Sequence, residues 1–234
     1  MRAIYEKELK NYFLTPIGYI FASAFMAISA LFFVFQTLTS GYAEIDTMLS
    51  YVNIICIFIV PVLTMQSFAE ERGKRTDQLL LTSPVNISEI VMGKYFAALS
   101  VFLLTLVLSL VFPVILFIIG KPVLSETIGT YVGFIFIWSV FIAIGIYISS
   151  MTESQVVSAI LTFVVLFVLY LVEMIAGSIR NEIAKTVLGW FSVFGRYEDF
   201  KNGIFNVSSI IYYISFVFVA LFLTARNIER RRYS

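Results

Sequence analysis

Long apolar runs broken by short charged ones set the pattern of this chain. Six stretches, at about residues 17–38, 48–68, 95–119, 128–150, 156–176 and 207–225, are free or nearly free of charge. Each has the roughly 20 residues that a helix rising about 1.5 Å per residue needs to cross about 30 Å of hydrocarbon. Backbone amides in lipid must be satisfied within the segment or by a closed barrel, and these runs lack the alternation of barrel strands. The pattern predicts an all-α integral membrane protein: six transmembrane helices in one domain, residues 1–234.

The segments between the runs carry the remaining structure. MRAIYEKELKNYFLTP places Ile4 or Tyr5, Leu9, Tyr12 and Phe13 near one helical face and turns Glu6, Lys7 and Lys10 away. That arrangement suits an amino-terminal interfacial helix, residues 1–16, lying on the membrane surface before Pro16 redirects the chain. Residues 70–94, EERGKRTDQLLLTSPVNISEIVMGK, form the most charged internal segment. Within it Ser83 is placed to cap a helix starting at Pro84, and Asn86 to cap one with Glu89 three residues on. Leu79, Leu80 and Leu81, between Asp77 and Thr82, suit either a short helix pressed against a partner or an amphipathic loop lying on headgroups. Residues 178–206 gather Trp190, Phe191, Phe194, Tyr197, Phe200 and Phe205 outside the runs, which predicts a re-entrant or interfacial helix covering them.

Charge then orients the bundle. One side collects Arg2, Lys7, Lys10, Arg72, Lys74, Arg75, Lys94, Arg226, Arg230, Arg231 and Arg232, eleven in all, against five on the other, Lys121, Arg180, Lys185, Arg196 and Lys201. The excess of lysine and arginine marks the cytoplasmic side, so both termini are expected there, in a plasma membrane. The five charged residues within Met1–Leu14 argue against a removable signal peptide.

Composition narrows the chemistry. The chain is 60% hydrophobic and 13% charged, with a mean hydropathy of +0.94, outside the range of soluble domains. A net charge of +1 leaves no footprint for nucleic-acid binding. One cysteine and no histidine remove the usual zinc and haem ligands and the ordinary catalytic triads. The phosphate-cradling pattern G-x-x-x-x-G-K-[ST] is absent, since Gly93-Lys94 leads into Tyr95 and Gly120-Lys121 into Pro122. No cofactor is expected in this chain, and any ATP and magnesium belong on a partner.

Three positions inside the runs stand out as pathway or kink candidates. Pro61 and Pro113 each remove a backbone donor, which marks either a working kink or an ordinary membrane proline. Glu173 is a carboxylate in an apolar span; at that depth it is a functional candidate, and four residues from the exit it also reaches the headgroups. Gln36, Asn53, Thr64 and Gln66 are explained by interhelical hydrogen bonds.

The run EERGKRTDQLLLTSPVNISEIVMGKY resembles the loop between the second and third helices in permease subunits of ATP-binding-cassette exporters. Within these it is similar to the type-2 permeases that include those of gliding motility and nitrous-oxide-reductase maturation. LTLVLSLVFPVILFIIGKPVL, GTYVGFIFIWSVFIAIGIYISSMTESQ and RYEDFKNGIFNVSSIIYYISFVFVALFLTAR extend the resemblance, in order, over essentially the whole chain. It implies a six-helix permease that dimerises with itself or with a related chain and docks separate cytoplasmic ATPase subunits. The coupling helix then falls on Glu70, Glu71, Arg72, Gly73, Asp77, Leu79, Leu80, Thr82 and Pro84. The membrane-surface helix falls on Tyr5, Glu6, Lys7, Glu8 and Leu9, with Pro16, Gly18 and Tyr19 at the turn that follows. Val123 stands where the family often has an acid, and Arg196 and Asn206 where it often has histidine and aspartate. The rival readings are an ATP-independent channel or carrier and a membrane anchor for a cytoplasmic partner.

Overall fold

The computed structural model describes residues 1–38, 45–76, 85–120, 122–178, 189 and 192–232. Among these the fold is all-α, with no strand. A first helix, α1 (Arg2–Leu14), ends where the Thr15 hydroxyl donates back to the Asn11 carbonyl at 2.8 Å. Pro16 then takes the first position of α2 (Pro16–Phe32), where its missing N–H costs nothing. The helix continues as a π-helical turn, Phe33–Leu38. There follow α3 (Ile45–Thr64), the short α4 (Ala69–Gly73), α5 (Ile87–Ser109) and α6 (Val111–Ile119). The chain closes with α7 (Leu124–Met151), α8 (Gln155–Ser178), α9 (Gly195–Lys201) and α10 (Val207–Arg232). Six spans among the described residues are long and apolar enough to cross a membrane, α5 and α6 counting as one.

The fourth span, α7, is the hub. In its most apolar window 72% of residues are buried, against 17% for α8, so α7 is central and α8 peripheral. Trp138 sits at its middle, stacked on Phe102 at 4.5 Å between ring centroids and edge-on to Phe25 at 5.6 Å and Phe21 at 5.9 Å. Its indole N–H donates to Asn53 Oδ1 at 3.1 Å, which ties α7 to α3. In lipid such packing and hydrogen bonds, rather than water exclusion, hold helices together, and small residues let backbones approach. Gly145 is one such place: a Cβ there would lie 2.2 Å from Thr64 Oγ1. At the far end Gly129 does the same for α9, since a Cβ would meet the Phe200 carbonyl at 2.2 Å. The α9 segment thereby caps the bundle with Tyr197 and Phe200 buried, while Trp190 and Phe191 lie outside the described residues.

The third span differs in two respects from what the apolar runs suggest. The third span begins at Ile87, with Asn86 at its N-cap, rather than at Tyr95. Ile87, Ile90 and Val91 are buried, so the helix starts at its cap and not at its first uncharged residue. The same span is interrupted at Leu110, between α5 and α6. Pro113 cannot donate to the Ser109 carbonyl four residues back, and the Tyr131 hydroxyl supplies that bond from α7 at 3.1 Å. Pro61 lies within α3 without a break in it.

Tyr131→Phe should therefore leave the Ser109 carbonyl unsatisfied and cost about 1–2 kcal/mol, read as a lower thermal midpoint in detergent. In a Pro113→Ala background, where a backbone N–H can take the tyrosine's place, the same substitution should cost much less.

Candidate functional site

The end of the bundle that carries the excess of basic residues holds a charge cluster of a kind the apolar runs would not suggest. Lys94 lies in the first turns of α5 on the same stripe as Ile87, Val91 and Ala98, and its side chain is 1% exposed. Its ammonium meets Glu8 Oε1 at 3.1 Å, Glu71 Oε2 at 3.0 Å and the Ser67 carbonyl at 2.6 Å. Three oxygens answer the three N–H bonds of the ammonium. The Phe68 ring adds a face 4.9 Å from Nζ.

Lys7 closes the set from outside, 3.3 Å from Glu71 Oε1 and 3.6 Å from Glu8 Oε1. Two lysines and two glutamates make the cluster neutral. Partial burial works against the Lys7 charge, but the carboxylates of Glu71 and then Glu8 outweigh it and raise its pKa above the ordinary 10.5.

The four members arrive on three elements, Lys7 and Glu8 together on α1. Glu8 comes from α1, which also buries Tyr12; that hydroxyl donates to the Leu63 carbonyl at 3.0 Å, and burial pushes its pKa up. The Tyr5 hydroxyl pairs with Ser100 at 3.0 Å, and Ile4 packs where a side chain on Gly93 would clash, so α1 lies along α5. The buried face of α1 thus runs through Glu8 and Tyr12, while Phe13, expected on the apolar face, is 38% exposed. Glu71 comes from α4.

The other flank of α4 is bound to α7 and to the turn that leads into α8, at the end of α7 where α10 also joins. The Phe68 and Ala69 N–H groups both donate to Ser149 Oγ, at 3.0 and 3.1 Å. Arg72 pairs with Glu153 at 2.8 Å. Asn227 on α10 donates to the Ser150 carbonyl at 3.0 Å. Gly73 is needed for close approach, since a Cβ would lie 2.7 Å from the Glu153 carbonyl.

The chain leaves α4 through a Schellman motif. The Thr76 N–H bonds the Glu71 carbonyl at 2.8 Å and the Arg75 N–H the Arg72 carbonyl at 3.0 Å. Arg75 occupies the left-handed position, φ 56°, where glycine is the usual residue. It is exposed.

Of the coupling and surface-helix residues expected from the sequence, Glu8, Glu71 and Lys7 meet in the cluster and Arg72 closes the opposite flank. Glu70 pairs with Lys74 at 2.6 Å, Glu6 with Arg2 at 2.7 Å, and Leu9 packs on the core. Asp77, Leu79, Leu80, Thr82 and Pro84 lie outside the described residues. Pro61, Pro113 and Glu173 are elsewhere in the bundle: Glu173, at the opposite end, accepts a hydrogen bond from Ser192 beside the start of α9. Asn206 takes a structural part there, accepting the Ser208 N–H at 3.0 Å ahead of α10, and Arg196 stacks 4.2 Å over the Tyr212 ring. Lys94, the centre of the cluster, is the residue that counting charges by loop passes over. The signal was present, in a lysine on the apolar stripe of its helix.

Residues 4–223 match the family described as ABC-2 family transporter protein, and the chain belongs to that family. No curated protein matches it. It is a multi-pass membrane protein and a component of a membrane transporter, of a family that normally works with a cytoplasmic ATPase.

Lys94→Ala should leave Glu8 and Glu71 facing each other with only the outer, solvated Lys7 as counter-ion, at a cost of about 3 kcal/mol. Thermal unfolding in detergent would show it, and Glu8→Gln with Lys94→Met should recover most of the loss. Because the Lys7 pKa is raised on folding, its contribution is complete below the ordinary lysine range and lost as pH climbs through the folded value. Stability should fall on that alkaline limb, and less so in Lys7→Met.

Proposed function

We propose that this ABC-2 family chain is the permease subunit of an ATP-driven exporter, paired with itself or with a related permease and docked on separate ATPase subunits. The basic end of the bundle is then cytoplasmic, with both termini on that side of a plasma membrane, and ATP and magnesium are held by the partner. The observation that carries the reading is the placement of α4. A five-residue helix is bonded on one flank to α1 and α5 and on the other to α7 and the turn that leads into α8, so a push at the segment of residues 70–84 reaches both halves of the bundle together. Rigid connections of this kind let a partner's closure bias one arrangement of a transporter over another.

Arg75 supplies the contact that faces outward. Its backbone adopts a conformation that costs a non-glycine residue about 1–2 kcal/mol, and among the described residues its side chain has no hydrogen bond or ion pair. A strained, solvated arginine beside the coupling segment is suited to an acidic site on the ATPase. Glu71, by contrast, is engaged with Lys94, so reversing its charge disturbs the fold before it reports on coupling.

Purification in mild detergent from its own cells should bring an ABC ATPase subunit with the chain, identified by mass spectrometry; recovery of the intact chain without one would sink the reading in favour of an ATP-independent channel or carrier, or an anchor. Arg75→Gly separates contact from structure, because glycine suits the left-handed backbone. We expect unchanged or slightly raised thermal stability, with the ATPase activity of the complex no longer coupled to transport. Leu80→Pro should uncouple similarly while the protein stays in the membrane.

A further inference from the structure

Two contiguous cavities lie where no contact described so far requires them. The first is a groove of about 440 Å³ between α8 and α10 on the face of α7, lined by Ile144, Val165, Leu169, Phe216, Val219 and Ala220 among others. The second, about 560 Å³, opens at the basic end and is lined by Met151, Arg226, Asn227, Glu229 and Arg230. Tyr147 and Leu223 line both, so one runs into the other.

The shape matches one leaflet. From Tyr212 to Leu223 the groove follows eleven steps of α10, about 16 Å at about 1.5 Å per step, or roughly half of a 30 Å hydrocarbon core. The polar cavity then falls at headgroup level, with Tyr147 at the boundary where aromatic residues favour the interface. Of its charges, Arg226 reaches Glu229 at 3.2 Å and Arg230 is exposed. That single solvated ion pair is weak and uses one of the five N–H donors of Arg226, so donors remain for a phosphate.

We propose that this pair of cavities binds an anionic glycerophospholipid of the leaflet at the basic end, one acyl chain in the α7, α8 and α10 groove and the phosphate against Arg226 and Arg230. A free phosphate leaves the apolar groove unexplained, and a zwitterionic lipid, whose own ammonium offsets its phosphate, leaves the two arginines so. The site does not rest on the permease reading, since it belongs to the chain alone.

The test uses the full chain in phosphatidylcholine nanodiscs with a trace of phosphatidylglycerol carrying a photoreactive acyl chain. Crosslinks should map to Ile144, Val165, Leu169, Phe216 and Val219. Unlabelled phosphatidylglycerol should compete, and excess inorganic phosphate should not. Arg226→Gln and Arg230→Gln should each reduce the preference for phosphatidylglycerol over phosphatidylcholine by about fivefold. Val219→Trp, at a position 53% exposed and so tolerant of bulk, should block labelling of the groove with helicity unchanged. Equal labelling by a phosphatidylcholine probe, labels spread evenly over lipid-facing residues such as Val107 and Ile118, displacement by inorganic phosphate alone, or a groove closed by a second copy of the chain would each overturn the proposal.

Discussion

An ammonium removed from water must be met by oxygens on every N–H, or its desolvation cost stands uncompensated. Lys94 is such a group, and the way it is met arranges the whole basic end. Its acceptors come from α1, from the turn after α3 and from α4, three pieces of chain that have little reason of their own to adopt one geometry. A helix of thirteen residues such as α1 is marginal in isolation, and one of five residues does not persist alone. Both are held because moving either would uncover a charge. The α4 segment is thus anchored by an electrostatic requirement located inside a transmembrane helix, not by its own sequence.

The same rule, that polar groups in an apolar medium find partners, recurs through the bundle and explains why α7 is its hub. Trp138 and Asn53 satisfy each other across α7 and α3, Tyr131 replaces the bond that Pro113 cannot make, and Ser149 receives two backbone N–H groups as the chain leaves α3. In each case α7 supplies one partner. Where α7 approaches most closely, at Thr64 and at Phe200, it does so through Gly145 and Gly129. The proline in the third span therefore marks a helix interruption bridged from a neighbour, and the proline in the second marks none.

Joined together, these contacts give α4 two attachments with different physics. Toward α1 and α5 it is held by a compensated buried charge, which resists separation because either half would be left unpaired. Toward α7 and α8 it is held by Ser149, by the Arg72 to Glu153 pair at 2.8 Å and by a glycine contact, which permit smaller adjustments. Under the proposed role, a force arriving near Arg75 would move α1 and α5 as one body with α4 and slide against α7. The lipid proposed at the far side of α7 would sit across from that sliding surface.

What the chain determined by itself was the class of fold and the count of spans, because a bilayer imposes length and apolarity on each segment independently of its neighbours. The family resemblance, too, lies in linear order, and the comparison over residues 4–223 agrees with it. The helix at the amino terminus could be read from its periodicity, though not that its buried face runs through Glu8, since a carboxylate on an apolar stripe looks misplaced until its partner is known. That partner is Lys94, eighty-six positions away, and only the tertiary structure brings the two together. The same holds for Tyr131 and the Ser109 carbonyl. Local pattern records what one segment needs from its medium, whereas the pairing of buried polar groups depends on which segments meet. The segment around Glu70 to Gly73 is the clearest case: its charge made it conspicuous in the sequence, but its place between two halves of the bundle was decided by Lys94 on one side and Ser149 on the other.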